Sequence, residues 1–221
     1  MTESAIVIVG GGQAALSAAS QLRGLGHAGS IALISAEAVP PYQRPPLSKK
    51  YLLGEMSLER LLLKPAAFYE EQRIDLRLGE TVHGIDCANR RVMTDKGALP
   101  YDALILATGS RPRRLPAAIG GDLPGVLTVR DLADIDAMAP ALVEGARVLV
   151  VGGGYIGLEA AAVCRKRGVA VTLVEMGERI LNRVASEETA AFFRELHAAQ
   201  GVDLREGTGL SSIEKAKPLR A

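Results

Sequence analysis

The feature that most restricts this fold is a glycine turn that occurs twice, each time between a short β-branched run and an alanine-rich stretch. Ala5-Ile6-Val7-Ile8-Val9 runs into Gly10-Gly11-Gly12, and Arg147-Val148-Leu149-Val150-Val151 runs into Gly152-Gly153-Gly154. After the first turn, Ala15, Ala18, Leu22 and Leu25 recur at helical spacing and Gly26 is placed to end the helix. After the second, Ile156, Ala160 and Val163 recur and Gly168 ends it. Each predicted helix gives way to a second strand, over 31–35 and 169–174. Strand, turn, helix and strand in this order predict an α/β fold built on parallel sheets with helical crossovers.

The two copies correspond further along the chain. Gln72-Arg73-Ile74-Asp75-Leu76-Arg77 resembles Gln200-Gly201-Val202-Asp203-Leu204-Arg205, Gly79 answers Gly207, and Ile85-Asp86 answers Ile213-Glu214. The offset over this stretch is constant at 128, as between Asp75 and Asp203. The first copy continues through Arg91-Val92-Met93-Thr94, a Lys96-Gly97 turn and a strand over 103–107 that ends in Thr108-Gly109. At the same offset, the counterpart of Gly109 falls after Ala221. The expectation is therefore two Rossmann-like dinucleotide-binding domains, 1–113 and 114–221, the second incomplete at its C-terminal end.

In a turn of this type each glycine has a task. Gly10 permits the tight reversal, Gly12 lets the backbone approach a pyrophosphate, and Ala15 is small enough for helix and strand to touch. The pyrophosphate is held at the helix N-terminus, where free N–H groups point outward. Gly152, Gly154 and Gly157 repeat the plan. An acidic residue follows each second strand, Glu37 in the first copy and Glu175 in the second, placed to accept from a ribose hydroxyl. A carboxylate at Glu175 repels a 2′-phosphate and so favours NADH over NADPH, with Arg179 near enough to soften the preference.

Composition excludes several other classes. Lys and Arg number 26 against 25 Asp and Glu, for a net charge of +1, which gives no basic footprint for nucleic acid. No apolar run approaches the roughly 18 residues of a membrane span, and the N-terminus lacks a signal-peptide pattern. Cys87 and Cys164 form neither a CxxC nor a metal-ligand spacing, so no metal site and a cytoplasmic location are expected. His27, His83 and His197 lack acidic partners at catalytic spacing and read as structural or solvated.

Three segments carry a family resemblance. Pro41-Tyr42-Gln43-Arg44-Pro45-Pro46-Leu47-Ser48-Lys49, Leu104-Ile105-Leu106-Ala107-Thr108-Gly109-Ser110-Arg111-Pro112 and Val150-Val151-Gly152-Gly153-Gly154-Tyr155-Ile156-Gly157-Leu158-Glu159 resemble the oxygenase-coupled NADH-dependent ferredoxin reductases. The likeness extends to about Ile213 and implies the FAD/NAD-linked, glutathione reductase-like type of fold. It implies FAD on the first copy, through Gly10, Gly12, Ala14 and Ala15, with Glu37 at the adenosine ribose. Arg44 and Lys49 would lie along the flavin side and Val82 by the adenine. Ala107, Thr108 and Gly109 would mark the passage between domains, and Arg130 would be a further FAD contact. NADH would meet Gly152, Gly154, Tyr155, Ile156, Gly157, Glu159 and Glu175. Many relatives carry Asp just before the position of Glu37, where this chain has Ala36. They also continue past position 221 with a second FAD motif and a C-terminal domain.

The resemblance further implies a reaction. The segment around Lys49 has no cysteine, so a thiol relay is excluded and electrons leave to an external one-electron carrier, an iron–sulfur ferredoxin or a rubredoxin. Lys49 and Glu159 would be the catalytic pair. Lys49 would be a buried cation stabilising the reduced ring, and Glu159 would offset its desolvation. Arg111, Arg113 and Arg114 are candidates for steering an acidic partner. The alternatives are another flavoprotein reductase of the same fold and a truncated, non-catalytic nucleotide-binding fragment.

Overall fold

The structure is a computed structural model that describes residues 4–215. The chain divides into two compact units. One comprises residues 1–44 and 57–110, the other 45–56 and 111–221.

The first unit opens with β1 (Ile6–Val9), α1 (Gln13–Gly24) and β2 (Ile31–Ser35). The short helices α2 (Leu58–Leu61) and α3 (Ala66–Glu71) lead to β3 (Ile74–Leu78). There follow β4 (Val82–Asp86), β5 (Arg91–Thr94), β6 (Gly97–Pro100) and β7 (Ala103–Leu106). Its main sheet has the order β3-β2-β1-β7, all parallel, with Ile6 beside both Ile31 and Ala103. The central strand β1 is buried at every residue because both faces are covered. Ile6 and Ile8 pack with Ala15, Leu16 and Ala19 of α1 and with Tyr69 of α3. Val7 and Val9 point the other way, onto Ile34 and Val92. Val92 belongs to the antiparallel sheet β4-β5-β6, which caps that face. Each fully buried aliphatic side chain here contributes about 1.5–3 kcal/mol, which is what holds the strand in its layer.

The second unit contains α4 (Leu132–Met138), β8 (Arg147–Val151), α5 (Tyr155–Lys166), β9 (Ala170–Val174), α6 (Glu187–Ala199) and β10 (Val202–Arg205). Its parallel sheet has the order β10-β9-β8. Among the described residues β8 has no neighbour on its far side, and Leu149 and Val151 are 45% and 44% exposed. His197 of α6 is buried, with Nδ1 2.8 Å from the Phe193 carbonyl and Nε2 3.2 Å from that of Leu158 in α5, a structural role.

Residues 45–56 lie inside the first copy in sequence but pack in the second unit. Leu47–Tyr51 forms a wide helical turn in which Tyr51 N–H donates to the Pro46 carbonyl at 3.0 Å, and Lys49 departs from helical dihedrals (φ −129°, ψ −111°). Arg167, just past α5, donates to the Leu52 carbonyl at 2.7 Å, and the Tyr51 hydroxyl donates to Asp136 of α4 at 2.9 Å.

The repeat is real through β3 and β10. Ile85 sits in β4, whereas Ile213, its expected counterpart, joins no strand and donates its N–H to the Ile119 carbonyl at 2.8 Å. No antiparallel cap follows β10 among the described residues. The sequence from Lys215 to Ala221 shows no strand pattern, and all of it but Lys215 lies outside the described residues.

Candidate functional site

The two glycine turns reach nearly the same conformation. Gly10 N–H donates to the Ile34 carbonyl at 2.9 Å, and Gly152 N–H to that of Val174 at 2.8 Å. Both first glycines have positive φ, +135° and +109°. Gly12 and Gly154 are the extended N-caps of α1 and α5, and neither helix has a side-chain cap. By contrast, Asp131 caps α4 and Ser186 caps α6. The first N–H groups of α1 and α5 thus have no intrahelical acceptor and no capping side chain. A Cβ built at Gly12 or Gly154 would meet nothing within 4 Å among the described residues, so the space before each helix end is clear of them. Uncapped N-termini behind glycine turns suit an anionic pyrophosphate, and this chain's residues therefore fit the cofactors its sequence implies.

Around the first turn, Ala15 is fully buried. A Cβ at Gly10 would lie 2.1 Å from the Ala107 carbonyl oxygen and 3.3 Å from Thr108 N, so these residues close over the turn. Gly109 follows with φ +69°, and the first unit ends at Ser110. Glu37 is not free: Tyr42 OH donates to its Oε2 at 2.6 Å, and Arg44 forms an ion pair with its Oε1. The Arg44 guanidinium also lies over the Tyr42 ring, 5.1 Å from its centroid. Arg44 is thus engaged with the carboxylate assigned to the ribose. Ala14 is exposed in the first turn of α1, and Val82 opens β4, packed against the Val7–Val9 face.

Around the second turn, Glu175 has a definite structural task. Its Oε2 accepts from Gly153 N–H and its Oε1 from Gly177 N–H, both at 2.7 Å, so the carboxylate braces the turn itself. Each oxygen keeps a second lone pair, so a ribose hydroxyl can still be accepted. Arg179 donates to the Ala185 carbonyl at 3.1 Å within its own loop. Gly157 allows close packing, since a Cβ there would lie 2.0 Å from the Gly152 carbonyl oxygen. Tyr155 and Ile156 are exposed at the start of α5, 56% and 54%.

Lys49 and Glu159 meet within the second unit, with Nζ 2.7 Å from Oε2. Lys49 Nζ also donates to the Pro45 carbonyl at 3.1 Å. Lys49 is not the buried cation expected: its side chain is 46% exposed and that of Glu159 31%. The wide turn explains this, because it carries Leu47 and Ser48 into the protein and leaves Lys49 on the outer side. Arg130 donates its backbone N–H to Asp134, within a loop that the Asp131 cap organises. Cys87 is exposed and Cys164 buried, and burial pushes the Cys164 thiol up.

Sequence reasoning passed over two residues that hold these groups in place. Tyr42 closes the Glu37–Arg44 cluster, and Ser48 donates to Glu159 at 2.6 Å. Both lie in the segment already singled out at Pro41–Lys49, but spacing alone does not say which way a hydroxyl points.

A family profile described as pyridine nucleotide-disulphide oxidoreductase matches residues 4–220. The chain is 48% identical to the 5,5'-dehydrodivanillate O-demethylase ferredoxin reductase subunit of Sphingobium sp. over 216 residues, which are 97% of this chain and 52% of that protein. It is 41% identical to putidaredoxin reductase CamA of Pseudomonas putida over 212 residues, 95% of this chain and 50% of that one. The crystal structure of the covalent putidaredoxin reductase–putidaredoxin complex matches with a TM-score of 0.90 at 39% identity, over 96% of this chain and 52% of that chain. The chain thus spans about half the length of the curated relatives it matches.

Proposed function

Because the chain belongs to the pyridine nucleotide-disulphide oxidoreductase family, we propose that it is the dinucleotide-binding part of an NADH-dependent reductase serving a ferredoxin or a rubredoxin. The observation that carries this reading is the pair of glycine turns, each opening an uncapped helix onto clear space. The names of the relatives, a ferredoxin reductase subunit and a putidaredoxin reductase, support the electron acceptor.

In this reading residues 1–113 take FAD and 114–221 take NADH. Gly10, Gly12, Ala14 and Ala15 receive the FAD pyrophosphate, and Glu37, steadied by Arg44 and Tyr42, accepts from the ribose. Val82, Ala107, Thr108, Gly109 and Arg130 complete that site. Gly152, Gly154, Tyr155, Ile156 and Gly157 receive NADH, and Glu175 sets the preference against a 2′-phosphate. Bound FAD supplies the chemistry, taking up a hydride and releasing single electrons. Lys49 contributes a cation to the reduced ring, and Glu159 is its counter-ion. Arg111, Arg113 and Arg114 steer an acidic carrier. Among the described residues no helix is long and apolar enough to cross a membrane, and we place the protein in the cytoplasm.

The test is the visible spectrum of the purified chain, with FAD supplied, before and after anaerobic NADH. Flavin absorption that bleaches supports both sites. A chain that stays colourless, or a flavin spectrum that NADH leaves unchanged, overturns the reading for this chain.

A further inference from the structure

We infer that Ser48 is a positioning residue for the Lys49–Glu159 pair, acting through the glutamate carboxylate. Ser48 Oγ donates to Glu159 Oε2 at 2.6 Å, and Lys49 Nζ meets the same oxygen at 2.7 Å. One carboxylate oxygen therefore collects both donors, and only one of them is buried. Ser48 is 5% exposed, whereas the Lys49 side chain is 46% exposed.

That asymmetry decides which group holds which. An exposed ion pair to a lysine gains little, because solvent screens it and a flexible four-carbon stem must be immobilised to form it. A serine hydroxyl has one side-chain torsion to fix, and a bond to a carboxylate is the stronger, charge-assisted kind. The Ser48 backbone is set by the wide turn, where both Lys49 N–H and Tyr51 N–H donate to the Pro46 carbonyl at 3.0 Å. Removing its partner would leave a buried hydroxyl unpaired, which is costly. Glu159 stands one turn into α5, two residues beyond Gly157. The buried hydroxyl thus fixes the carboxylate, the carboxylate fixes one N–H of the ammonium, and the Pro45 carbonyl takes another at 3.1 Å.

The inference deepens the proposed function and rests on it only for what the ammonium does; the geometry and its test need no cofactor. The experiment is competitive trace acetylation of the whole chain with acetic anhydride, read by peptide mass spectrometry as the ratio of Lys49 to its neighbour Lys50. Glu159→Gln is expected to raise the ratio about threefold, in line with a half-exposed ion pair. Ser48→Ala is expected to raise it about twofold, and to add nothing in the Glu159→Gln background. Ser48→Thr, which keeps the hydroxyl, should restore the wild-type ratio. A wild-type ratio in Ser48→Ala overturns the inference, and so does an additive rise in the double variant or no rescue by threonine. A chain that shows these ratios but does not bleach with NADH loses the proposed function and keeps the role of Ser48.

Discussion

The first glycine turn has a carbonyl over it and the second, among the described residues, has none, although their hydrogen bonds are nearly the same. Gly10 sits under the Ala107 carbonyl because β7 runs beside β1, whereas nothing among the described residues lies within 4 Å of a Cβ at Gly152. The third position reverses the pattern. Ala15 fits its methyl between α1 and β1, but at Gly157 a Cβ would strike the Gly152 carbonyl oxygen. The carboxylates differ as well. Glu80 N–H donates to the Ser35 carbonyl as Thr208 N–H does to that of Glu175. Likewise Gly79 donates to Glu37 as Gly207 does to Gly177. In the frame of the fold, Ser35 therefore answers Glu175, and Glu37 stands two residues later, where the second copy has Gly177. A phosphate cradle follows from strand, turn and helix alone, while the groups around it are set independently in each copy.

Substitution at the first glycine should separate the copies most. Gly10→Ala combines a positive φ with a backbone clash and is expected to cost more than about 3 kcal/mol. Gly152→Ala meets only the conformational penalty, roughly 1–3 kcal/mol. Urea unfolding of the two variants measures the difference, and equal losses would erase the distinction between the two turns.

The third position gives the next effect, with the sign of the asymmetry reversed. Gly157→Ala should destabilise the second unit by about 1–3 kcal/mol through overpacking. Ala15→Gly should cost only about 0.5–1 kcal/mol, for a glycine in a helix. Thermal melts of both variants check this, and a harmless Gly157→Ala would mean that α5 can move away from β8.

The smallest effect is a response to alkali. Burial pushes the Tyr69 hydroxyl from its ordinary 10.0 up to about 12. The unfolded chain ionises this group first, so stability that is full below pH 10 is lost as pH rises towards 12. The first unit, whose core holds Tyr69, should therefore loosen over this range, and Tyr69→Phe, which has no hydroxyl to ionise, should not. Hydrogen exchange of the first unit at pH 10 to 11 checks this, and equal opening of the wild type and Tyr69→Phe would count against the assignment.

Much of this was legible in the chain. The strands β1, β2, β7, β8 and β9 fall where β-branched runs meet glycine, and α1 and α5 where alanine recurs at helical spacing, because these are local signals. The pairing of Lys49 with Glu159 came only from the resemblance, since 110 residues of sequence separate them and no periodicity links them. Three features were not legible. The half-exposure of Lys49 depends on a wide turn that no local propensity announces. The bracing of Gly153 by Glu175 depends on a side-chain torsion. The setting of Ile213, bonded to Ile119 where Ile85 sits in β4, was not legible because an isoleucine followed by an acid looks alike in a strand and in an irregular segment.

The excursion of residues 45–56 into the second unit has a consequence for how the chain is made. Ser48 must wait for a partner 111 residues downstream. At about 5–20 residues per second, the ribosome needs roughly 6–22 s to deliver Glu159 after Ser48. During that interval the first unit can close its sheet while this loop stays unclaimed. A cut after Ser110 would not yield two self-sufficient halves, because the N-terminal piece would carry away twelve residues that belong to the other.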